Sequence, residues 1–527
     1  MSKNRIADGI AAGWRYLDAR SLTETQTLQA DVVIVGSGAG GATAAEQLSR
    51  AGLQVILLEM GGLLEGGQFQ QQERWAYPAL YQDGAGRKTA DQAISILQGR
   101  TVGGSTTVNW TTSIRTPEPT LDYWRAQFDL PFSSAQLAPY FQQAEQRLNI
   151  QPWALPANAN NDKLRQGCEQ LGWHYSLISR NVKGCANLGY CGMGCPLNAK
   201  QSMLVTAVPA AMQHGALLIT HLSARRLVWS GSAVQALEAV PVDQYFKAKA
   251  SPVLRFEARH FILSAGAIGS PALLLRSEAP DPYRQLGKRT CLHPSLISGA
   301  LYDEPIFGHS GAPQSVYSDQ FVWPEDDQMG FKLEAAPVHP VLMASKLIGH
   351  AESHAALMRQ FNQLQVCIAL LRDGFHPDSQ GGEVRLDNAG EPLLHYPLTP
   401  YLWQGARRAL LAMAELQFAA GAKAVLPMHQ QAQHYHSWAQ AKAAIAGLQL
   451  APYQSILASA HVMGGCGMST DPAKGVVRPD GGHHQLHNLS VLDGSILPSS
   501  LGANPQLSIF ALTLWQLEQL HHQLAAG

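Results

Sequence analysis

Short apolar runs separated by glycine-rich turns dominate the N-terminal part of the chain. Residues 31–35 (DVVIV) form a β-branched run that ends at Gly36, which predicts a buried parallel strand. A helical segment, ATAAEQLSRAG, follows the turn, and residues 54–58 (QVILL) predict the next strand. Strand, crossover helix and strand in this order are typical of a parallel α/β sheet.

Further along, the pattern predicts two more kinds of element. Residues 258–264 (ARHFILS) form a strand that leads through Gly266 into a leucine-rich helix, as in the N-terminal unit. Residues 382–390 (GEVRLDNAG) indicate two short strands joined by a turn. Residues 398–421 have helical spacing, with a capping threonine before the helix and a glycine at its end, and favour a core helix.

Composition narrows the class of protein. The 527 residues are 46% hydrophobic and 15% charged, with a formal net charge of −1. These values exclude a disordered chain or a coiled coil, and they argue against nucleic acid as a main partner. The start of the chain has no apolar signal-peptide core, so we expect a cytoplasmic protein. The charge-free run after Asp493 contains two prolines and is not expected to span a membrane.

The first candidate site is the glycine-rich turn after the first strand. Gly36, Gly38 and Gly41 fit the G-x-G-x-x-G spacing, in which glycines permit a tight turn, close approach to a pyrophosphate and helix–strand packing. Glu59 ends the second strand, where an acidic residue accepts a ribose hydroxyl. The pattern predicts dinucleotide binding but does not separate NAD from FAD.

Four later segments extend this pattern, in the order GRTVGGSTTVN (99–109), ARHFILSAGAIGSP (258–271), ASAHVMGGCGMS (458–469) and NLSVLDGSILP…GANP (488–505). Together with the glycine turn, they resemble the glucose–methanol–choline (GMC) oxidoreductases, which are FAD enzymes that oxidise alcohols. Within that family, the chain looks most similar to bacterial long-chain alcohol, sterol and sugar dehydrogenases.

The resemblance implies a set of cofactor contacts. It assigns the adenosine diphosphate part of FAD to Gly36, Gly38, Gly41 and Glu59. It assigns the loop over the flavin to Gly103, Gly104, Ser105 and Asn109. It assigns the segment that holds the pyrophosphate to Asp493 and Gly494, and it places Pro505 beside the flavin ring. Some relatives attach FAD covalently through a histidine just before the matching asparagine. Val108 stands there in this chain, so we expect non-covalent FAD.

The resemblance also implies a catalytic pair. His461 occupies the position of the family's proposed base, and an imidazole is well suited to take a hydroxyl proton at neutral pH. Asn504 occupies the position where relatives carry asparagine or a second histidine, and it is expected to hydrogen-bond the substrate oxygen. No motif fixes the role of Glu334: a substrate-side carboxylate is one interpretation, and an ion-paired or exposed glutamate is the one we expect.

Three cysteines form a separate cluster. Cys185, Cys191 and Cys195 have x5 and x3 spacing and are followed by proline, which resembles the segment that binds a three-iron (3Fe-4S) cluster in some family dehydrogenases. Related loops occur in family members without a known cluster. Three interpretations therefore stay open: iron–sulfur ligands, a structural cysteine-rich loop, and a zinc site.

The expected fold is α/β, with a Rossmann-like FAD-binding domain built from discontinuous segments and an α+β substrate (cap) domain with an antiparallel sheet. We expect FAD-binding parts at 1–115, 201–300 and 455–527, a cap segment with the cysteine-rich loop at 116–200, and the substrate domain at 301–454.

The expected function is an alcohol dehydrogenase that acts on an apolar or weakly polar small-molecule alcohol. The alternatives are an alcohol oxidase that uses O2 and an FAD-containing hydroxynitrile lyase. A small subunit, a cytochrome or a quinone is a candidate partner, and the first of these would allow a periplasmic or membrane-associated location.

Overall fold

The computed structural model describes residues 5–526. Its strands are, in chain order, β1 (Tyr16–Asp18), β2 (Gln26–Val35), β3 (Val55–Leu58), β4 (Ile94–Ile96), β5 (Ile150–Pro152), β6 (Ser176–Leu177), β7 (Ser179–Asn181), β8 (Leu217–Thr220), β9 (Leu222–Ser230), β10 (Ala233–Pro241), β11 (Leu254–Leu263), β12 (Ser295–Leu301), β13 (Val316–Phe321), β14 (Phe331–Ala335), β15 (Leu364–Leu371), β16 (Glu383–Leu386), β17 (Pro392–His395), β18 (Ala424–Pro427), β19 (Leu457–Ser459) and β20 (Leu489–Val491).

The α-helices of the described residues are α1 (Arg5–Ala11), α2 (Ala39–Arg50), α3 (Glu73–Leu80), α4 (Glu118–Phe128), α5 (Ser134–Arg147), α6 (Ala159–Leu171), α7 (Ala207–Gln213), α8 (Gly266–Arg276), α9 (Pro340–Ala344), α10 (Ala351–Arg359), α11 (Pro400–Ala419), α12 (Trp438–Gly447) and α13 (Gln506–Ala526). Helix α11 begins where the sequence predicts, because the Thr399 side chain accepts a hydrogen bond from the Leu402 backbone amide.

The first sheet has the strand order β1-β8-β3-β2-β11-β10-β9, and β20 also pairs with β11. Its centre is parallel, from β1 to β11 and β20, while β11, β10 and β9 are antiparallel. The apolar half of β2, residues 32–35, is buried, as expected for a strand covered on both faces. The strands come from three separated stretches of chain, 16–58, 217–263 and 489–491.

The second sheet has the order β4-β19-β12-β15-β14-β13-β6, with β18 also paired to β12. All its pairs are antiparallel except β4 with β19. Helix α11 packs against β12 and β15 and covers one face of this sheet. These two sheets confirm the predicted α/β class with an antiparallel second domain. The domain boundaries stay a prediction, and β4 and β19 pair in the second sheet although they lie in stretches expected for the FAD domain.

The glycine turn between β2 and α2 packs against backbone on two sides. A Cβ atom on Gly40 would lie 1.6 Å from the Leu492 carbonyl oxygen, and one on Gly36 would lie 2.2 Å from that of Ser264. Gly36 also has a φ of +99°, a conformation that favours glycine. These contacts hold α2 against the segments that follow β11 and β20.

No helix among residues 5–526 combines the length and apolarity needed to cross a bilayer. In particular, the run after Asp493 forms a short 3₁₀ turn and then the helix α13.

We predict that Gly40→Ala destabilises the protein by at least about 3 kcal/mol, since the Leu492 backbone has little room to move away from the new methyl group. The melting temperature and the FAD content of the purified protein measure this effect. Gly67→Ala is the control, because a Cβ atom there meets nothing within 4 Å. Equal stability of the two variants would contradict the close packing at Gly40.

Candidate active site

One large cavity, with a volume of about 1280 Å³, is lined by residues of both sheets. Its lining includes nine of the eleven cofactor positions predicted from the sequence, and both residues of the catalytic pair. The predicted residues that line it are Gly36, Gly38, Glu59, Gly104, Ser105, Asn109, His461, Asp493, Gly494, Asn504 and Pro505. Gly41 and Gly103 are not part of the cavity lining and instead pack closely against neighbouring backbone, Gly41 against Gly36 and Gly103 against Leu204.

At one end of the cavity, Glu59 is tied to the glycine turn. Its Oε2 atom accepts hydrogen bonds from the Ser37 backbone amide (3.1 Å) and hydroxyl (2.6 Å), and its Oε1 atom accepts one from the Gly61 amide (2.8 Å). Burial raises the pKa of the Glu59 carboxyl above its usual value. The turn also presents the start of α2, whose backbone amides suit a pyrophosphate.

The loop at residues 103–109 lies directly over this turn. The Gly103 amide donates to the Ser37 hydroxyl oxygen at 3.0 Å, and a Cβ atom on Gly104 would lie 2.8 Å from the Gly38 Cα atom. The Asn109 side chain donates to Gln506 Oε1 at 2.7 Å. The loop is therefore fixed both to the nucleotide end and to the start of α13.

Asp493 joins the third stretch of the first sheet to α8. Its carboxylate accepts hydrogen bonds from the Gly266 amide (2.8 Å), the Ser270 hydroxyl (2.6 Å) and the Ser495 amide (2.7 Å). Burial raises its pKa, so these three donors are what stabilises the charged form. Asp493 thus holds the turn at Gly494 in place in the wall of the cavity.

The cysteine segment packs behind the 103–109 loop through a buried lysine. Lys200 Nζ donates to the carbonyl oxygens of Thr107 (2.8 Å), Asn109 (2.7 Å) and Cys191 (2.7 Å). Burial lowers the pKa of Lys200 to about 8. The segment therefore supports the loop of the cavity from outside, a role that its cysteines alone did not indicate.

The structure does not support the iron–sulfur interpretation of Cys185, Cys191 and Cys195. Among the described residues, no three histidine, cysteine, aspartate or glutamate side chains are gathered closely enough to hold a metal ion. The thiols instead have hydrogen-bond donors nearby: Cys191 Sγ lies 3.5 Å from the Arg180 guanidinium, and Cys185 Sγ lies 3.4 Å from the Asn187 amide. All three cysteines are free thiols, so no disulfide cross-links the segment.

His461 and Asn504 meet at the other end of the cavity. The His461 Nε2 atom lies 3.4 Å from the Asn504 Nδ2 atom. Burial, with a smaller contribution from the Lys332 ammonium, lowers the pKa of His461 to about 3, so the ring is neutral at physiological pH. The two residues that the sequence singled out are thus adjacent and face the same space.

Three further residues surround this pair, and sequence analysis missed two of them. His293 Nδ1 lies 3.2 Å from His461 Nδ1, and Lys332 Nζ donates to Asn504 Oδ1 at 3.3 Å. Glu334, whose role the sequence left open, is fully buried, lines the cavity and lies 3.5 Å from the Lys332 ammonium. His293 and Lys332 lie in no recognisable motif. Alternation along β14, which puts Lys332 on the same face as Glu334, is the signal that could have found Lys332.

The cavity fits an FAD molecule. The two glycine loops approach each other more closely than side chains would allow, since a Cβ atom on Gly104 would lie 2.8 Å from the Gly38 Cα atom. Glu59 stands directly after β3, where the fingerprint places the acidic residue that contacts a ribose. Models of the N- and C-terminal domains of GMC oxidoreductases match residues 77–295 and 377–513. A model of an NAD(P)-binding Rossmann-like domain matches residues 34–81.

Related proteins agree with these matches. The chain is 30% identical to an uncharacterised GMC-type oxidoreductase, y4nJ, of Sinorhizobium fredii, over 93% of this chain and 94% of that one. This chain belongs to the GMC oxidoreductase family. It is also 29% identical to the long-chain-alcohol oxidase FAO4B of Arabidopsis thaliana, over 92% of this chain and 66% of that protein.

Two solved structures have the same architecture as this chain. Pyridoxine 4-oxidase from Mesorbium loti aligns with a TM-score of 0.66 and 18% identity, over 93% of this chain and 99% of that one. A formate oxidase variant of Aspergillus oryzae, solved to study FAD modification, aligns with a TM-score of 0.67 and 15% identity, over 95% of this chain and all of that one. At these identities the likeness concerns the fold. As a GMC oxidoreductase, the chain is an FAD-binding oxidoreductase.

We predict that Lys200→Met weakens FAD binding and destabilises the GMC oxidoreductase by at least about 2 kcal/mol, because three buried carbonyl oxygens lose their donor. The ratio of FAD to protein after gel filtration and the melting temperature measure both effects. Lys183→Met, at an exposed lysine of the same segment, is the control. Full FAD content in Lys200→Met would show that the loop holds its shape without this support.

We also predict that His461 makes stability depend on pH. The unfolded chain binds a proton at this residue near pH 6.5 and the folded chain near pH 3, so the unfolding free energy falls by up to about 1.4 kcal/mol per pH unit as pH drops below 6.5. His461→Gln is expected to lower this slope between pH 6.5 and 5, measured by thermal melts of the FAD-bound protein. His395→Gln, at an exposed histidine, should keep the wild-type slope.

Proposed function

We propose that this protein oxidises the CH–OH group of an apolar alcohol, with His461 and Asn504 holding the substrate oxygen. The single observation that carries the proposal is the position of this polar pair at the end of an otherwise apolar part of the cavity. When bound, FAD supplies the hydride acceptor for this chemistry. The chain supplies binding, orientation and the handling of the hydroxyl proton.

The apolar part of the cavity is one face of the second sheet. Val366, Ile368 and Leu370 alternate along β15, so their side chains point to the same face, and all three line the cavity. Ile297 of β12 lies beside them. Val341, Leu342 and Met343 of α9 cover this region from the far side. An alkyl chain is the substrate portion that such a surface favours.

Helix α9 is held in place over the cavity by a buried carboxylate. Glu73 accepts hydrogen bonds from the backbone amides of Val341 (2.7 Å) and Leu342 (2.8 Å), and from the Tyr77 hydroxyl (2.8 Å). The cover therefore has a defined position relative to α3. Its apolar side chains add to the lining of this region, which favours the binding of a hydrocarbon chain.

The names of relatives agree with an alcohol of this class, since the Arabidopsis proteins are named long-chain-alcohol oxidases. The sequence-based assignments of His461 as the base, of non-covalent FAD and of a dehydrogenase rather than an oxidase stay predictions. Val108, which replaces the histidine of covalent relatives, lines the cavity and carries no nucleophile. The alternative of a hydroxynitrile lyase requires the same pocket without net oxidation.

We predict that anaerobic addition of long-chain primary alcohols bleaches the bound flavin, and that Ile368→Trp shifts the preference to shorter chains by at least about tenfold in kcat/KM. The larger side chain would fill space on the apolar face of β15. Stopped-flow absorbance across a series of chain lengths measures both effects. Leu177→Trp, at an exposed position of the same sheet, should keep the wild-type preference.

Two outcomes would overturn the proposal. One is a flavin that stays oxidised with every alcohol while the protein cleaves a cyanohydrin, which indicates the lyase. The other is a preference that is unchanged in Ile368→Trp, which would mean that the alkyl chain lies elsewhere. Admission of O2 or of an artificial acceptor after bleaching separates an oxidase from a dehydrogenase.

A further inference from the structure

A lysine in the wall of the cavity has no anionic partner. Lys346 follows α9, and its Nζ atom donates a hydrogen bond to Ser95 Oγ at 3.0 Å. Both side chains line the cavity. Burial and the charge of Lys88 lower the pKa of Lys346, and no carboxylate among residues 5–526 offsets them. The ammonium is therefore a partly desolvated positive charge that faces the cavity.

The carboxylates that line the cavity are all engaged elsewhere within the described residues. Asp83 pairs with Arg87 at 3.0 Å, and Glu391 pairs with Arg225 at 2.9 Å. The other three have the hydrogen-bond donors or the ion-pair partner described above: Glu59, Asp493 and Glu334. An anion that pairs with Lys346 therefore has to come from a bound molecule.

Ser95 supplies a second donor beside the lysine. Its neighbours in β4, Ile94 and Ile96, are fully buried, and alternation along the strand turns Ser95 to the opposite face, toward the cavity. Because the Ser95 oxygen accepts from Lys346, its hydroxyl hydrogen remains to be donated, and no acceptor in residues 5–526 takes it. An ammonium and a hydroxyl side by side match the two oxygens of a carboxylate.

This pair of donors lies across the second sheet from the polar end of the cavity. One row of paired residues crosses the sheet from β4 to β14 and consists of Ser95, Ala458, Ser295, Leu370 and Lys332. Neighbouring strands lie about 4.8 Å apart, so the two ends of the row are up to about 19 Å apart. Lys332 contacts Asn504, and the apolar face of β12 and β15 lies between the ends. The cavity thus has a hydroxyl-binding end, an apolar middle and a cationic end.

We propose that Lys346 and Ser95 bind the carboxylate of a long-chain hydroxy acid whose other end carries the hydroxyl group that is oxidised. This proposal rests on the proposed alcohol oxidation and names its substrate class. The C–H bond of the CH–OH carbon breaks, and both electrons leave with the hydrogen as hydride to the bound flavin. The hydroxyl proton goes to a base at the polar end, and the O–H bonding pair forms the second C–O bond of the aldehyde. The carboxylate is unchanged.

The first test compares substrates that differ only in their terminal group. Stopped-flow reduction of the FAD-bound protein is measured with ω-hydroxypalmitate and with its methyl ester. Pairing with Lys346 is expected to make kcat/KM at least about tenfold higher for the acid than for the ester. In a series that begins at ω-hydroxyhexanoate, the short acids are expected to be slower than their esters, because their charge would lie on the apolar face.

The second test removes the charge from the side chain. Lys346→Met keeps a similar length without the ammonium and is expected to bring the kcat/KM of the long acid down to that of its ester, whereas Lys346→Arg should keep an advantage for the acid. Lys88→Met is the matched control, since it removes a neighbouring lysine that is not part of the cavity lining. An acid that reacts no faster than its ester in the wild type, or an advantage that persists in Lys346→Met, would overturn the proposal.

Palmitate, which has no hydroxyl group, gives a measurement that does not depend on turnover. By calorimetric titration, the FAD-bound wild type and Lys88→Met are expected to bind palmitate at least about tenfold more tightly than Lys346→Met. Equal affinities would overturn the carboxylate site even if hexadecanol reduces the flavin. If binding depends on Lys346 while neither hexadecanol nor ω-hydroxypalmitate reduces the flavin, the carboxylate site stands and the alcohol-oxidising function fails. FAD content and melting temperature show whether each variant is folded.

Discussion

The close approach of three backbone segments at the glycine turn is the constraint on which the rest of the structure depends. Gly36 and Gly40 bring the start of α2 against the carbonyl oxygens of Ser264 and Leu492, which follow β11 and β20. Side chains at these glycines would push the segments apart. Because the segments are far apart in sequence, the turn brings distant parts of the chain together to form one half of the cavity. The Asp493 carboxylate stabilises this arrangement by accepting hydrogen bonds from Gly266 and Ser270.

Local patterns predicted the elements that build this half of the molecule. Glycine spacing, apolar runs and the acidic residue at position 59 depend on the covalent order of a strand, a turn and a helix, and a sequence displays that order directly. The same holds for α11, whose capping threonine and terminal glycine stand next to each end. The start of β2 at residue 26 was missed, because its first half is polar and carries no apolar run.

The polar end of the cavity was predicted only in part, for a physical reason. His461 and Asn504 lie in recognisable segments, but Lys332 and His293, which contact them, lie on β14 and just before β12, in the region with the weakest motifs. His293 reaches His461 through tertiary contact, and its backbone amide is held by the buried carboxylate of Asp373 at 3.1 Å. For the cysteine segment, spacing alone left a metal site and a structural loop open, and the contacts of Lys200 with its backbone favour the structural loop.

The buried charges around His461 and Asn504 explain why these two side chains have a fixed geometry. Lys332 and Glu334 are both buried, and an ion pair of this kind is costly to remove from water unless hydrogen bonds complete it. Asn504 and Gln314 supply some of those bonds, so the amide that faces the cavity is also part of what stabilises the charges. A side chain used in this way has one orientation available, and the donors it offers are in place before a substrate arrives. Rigid positioning of a few polar groups beside an apolar wall lets one site hold a hydroxyl firmly while its alkyl chain contributes affinity through burial alone.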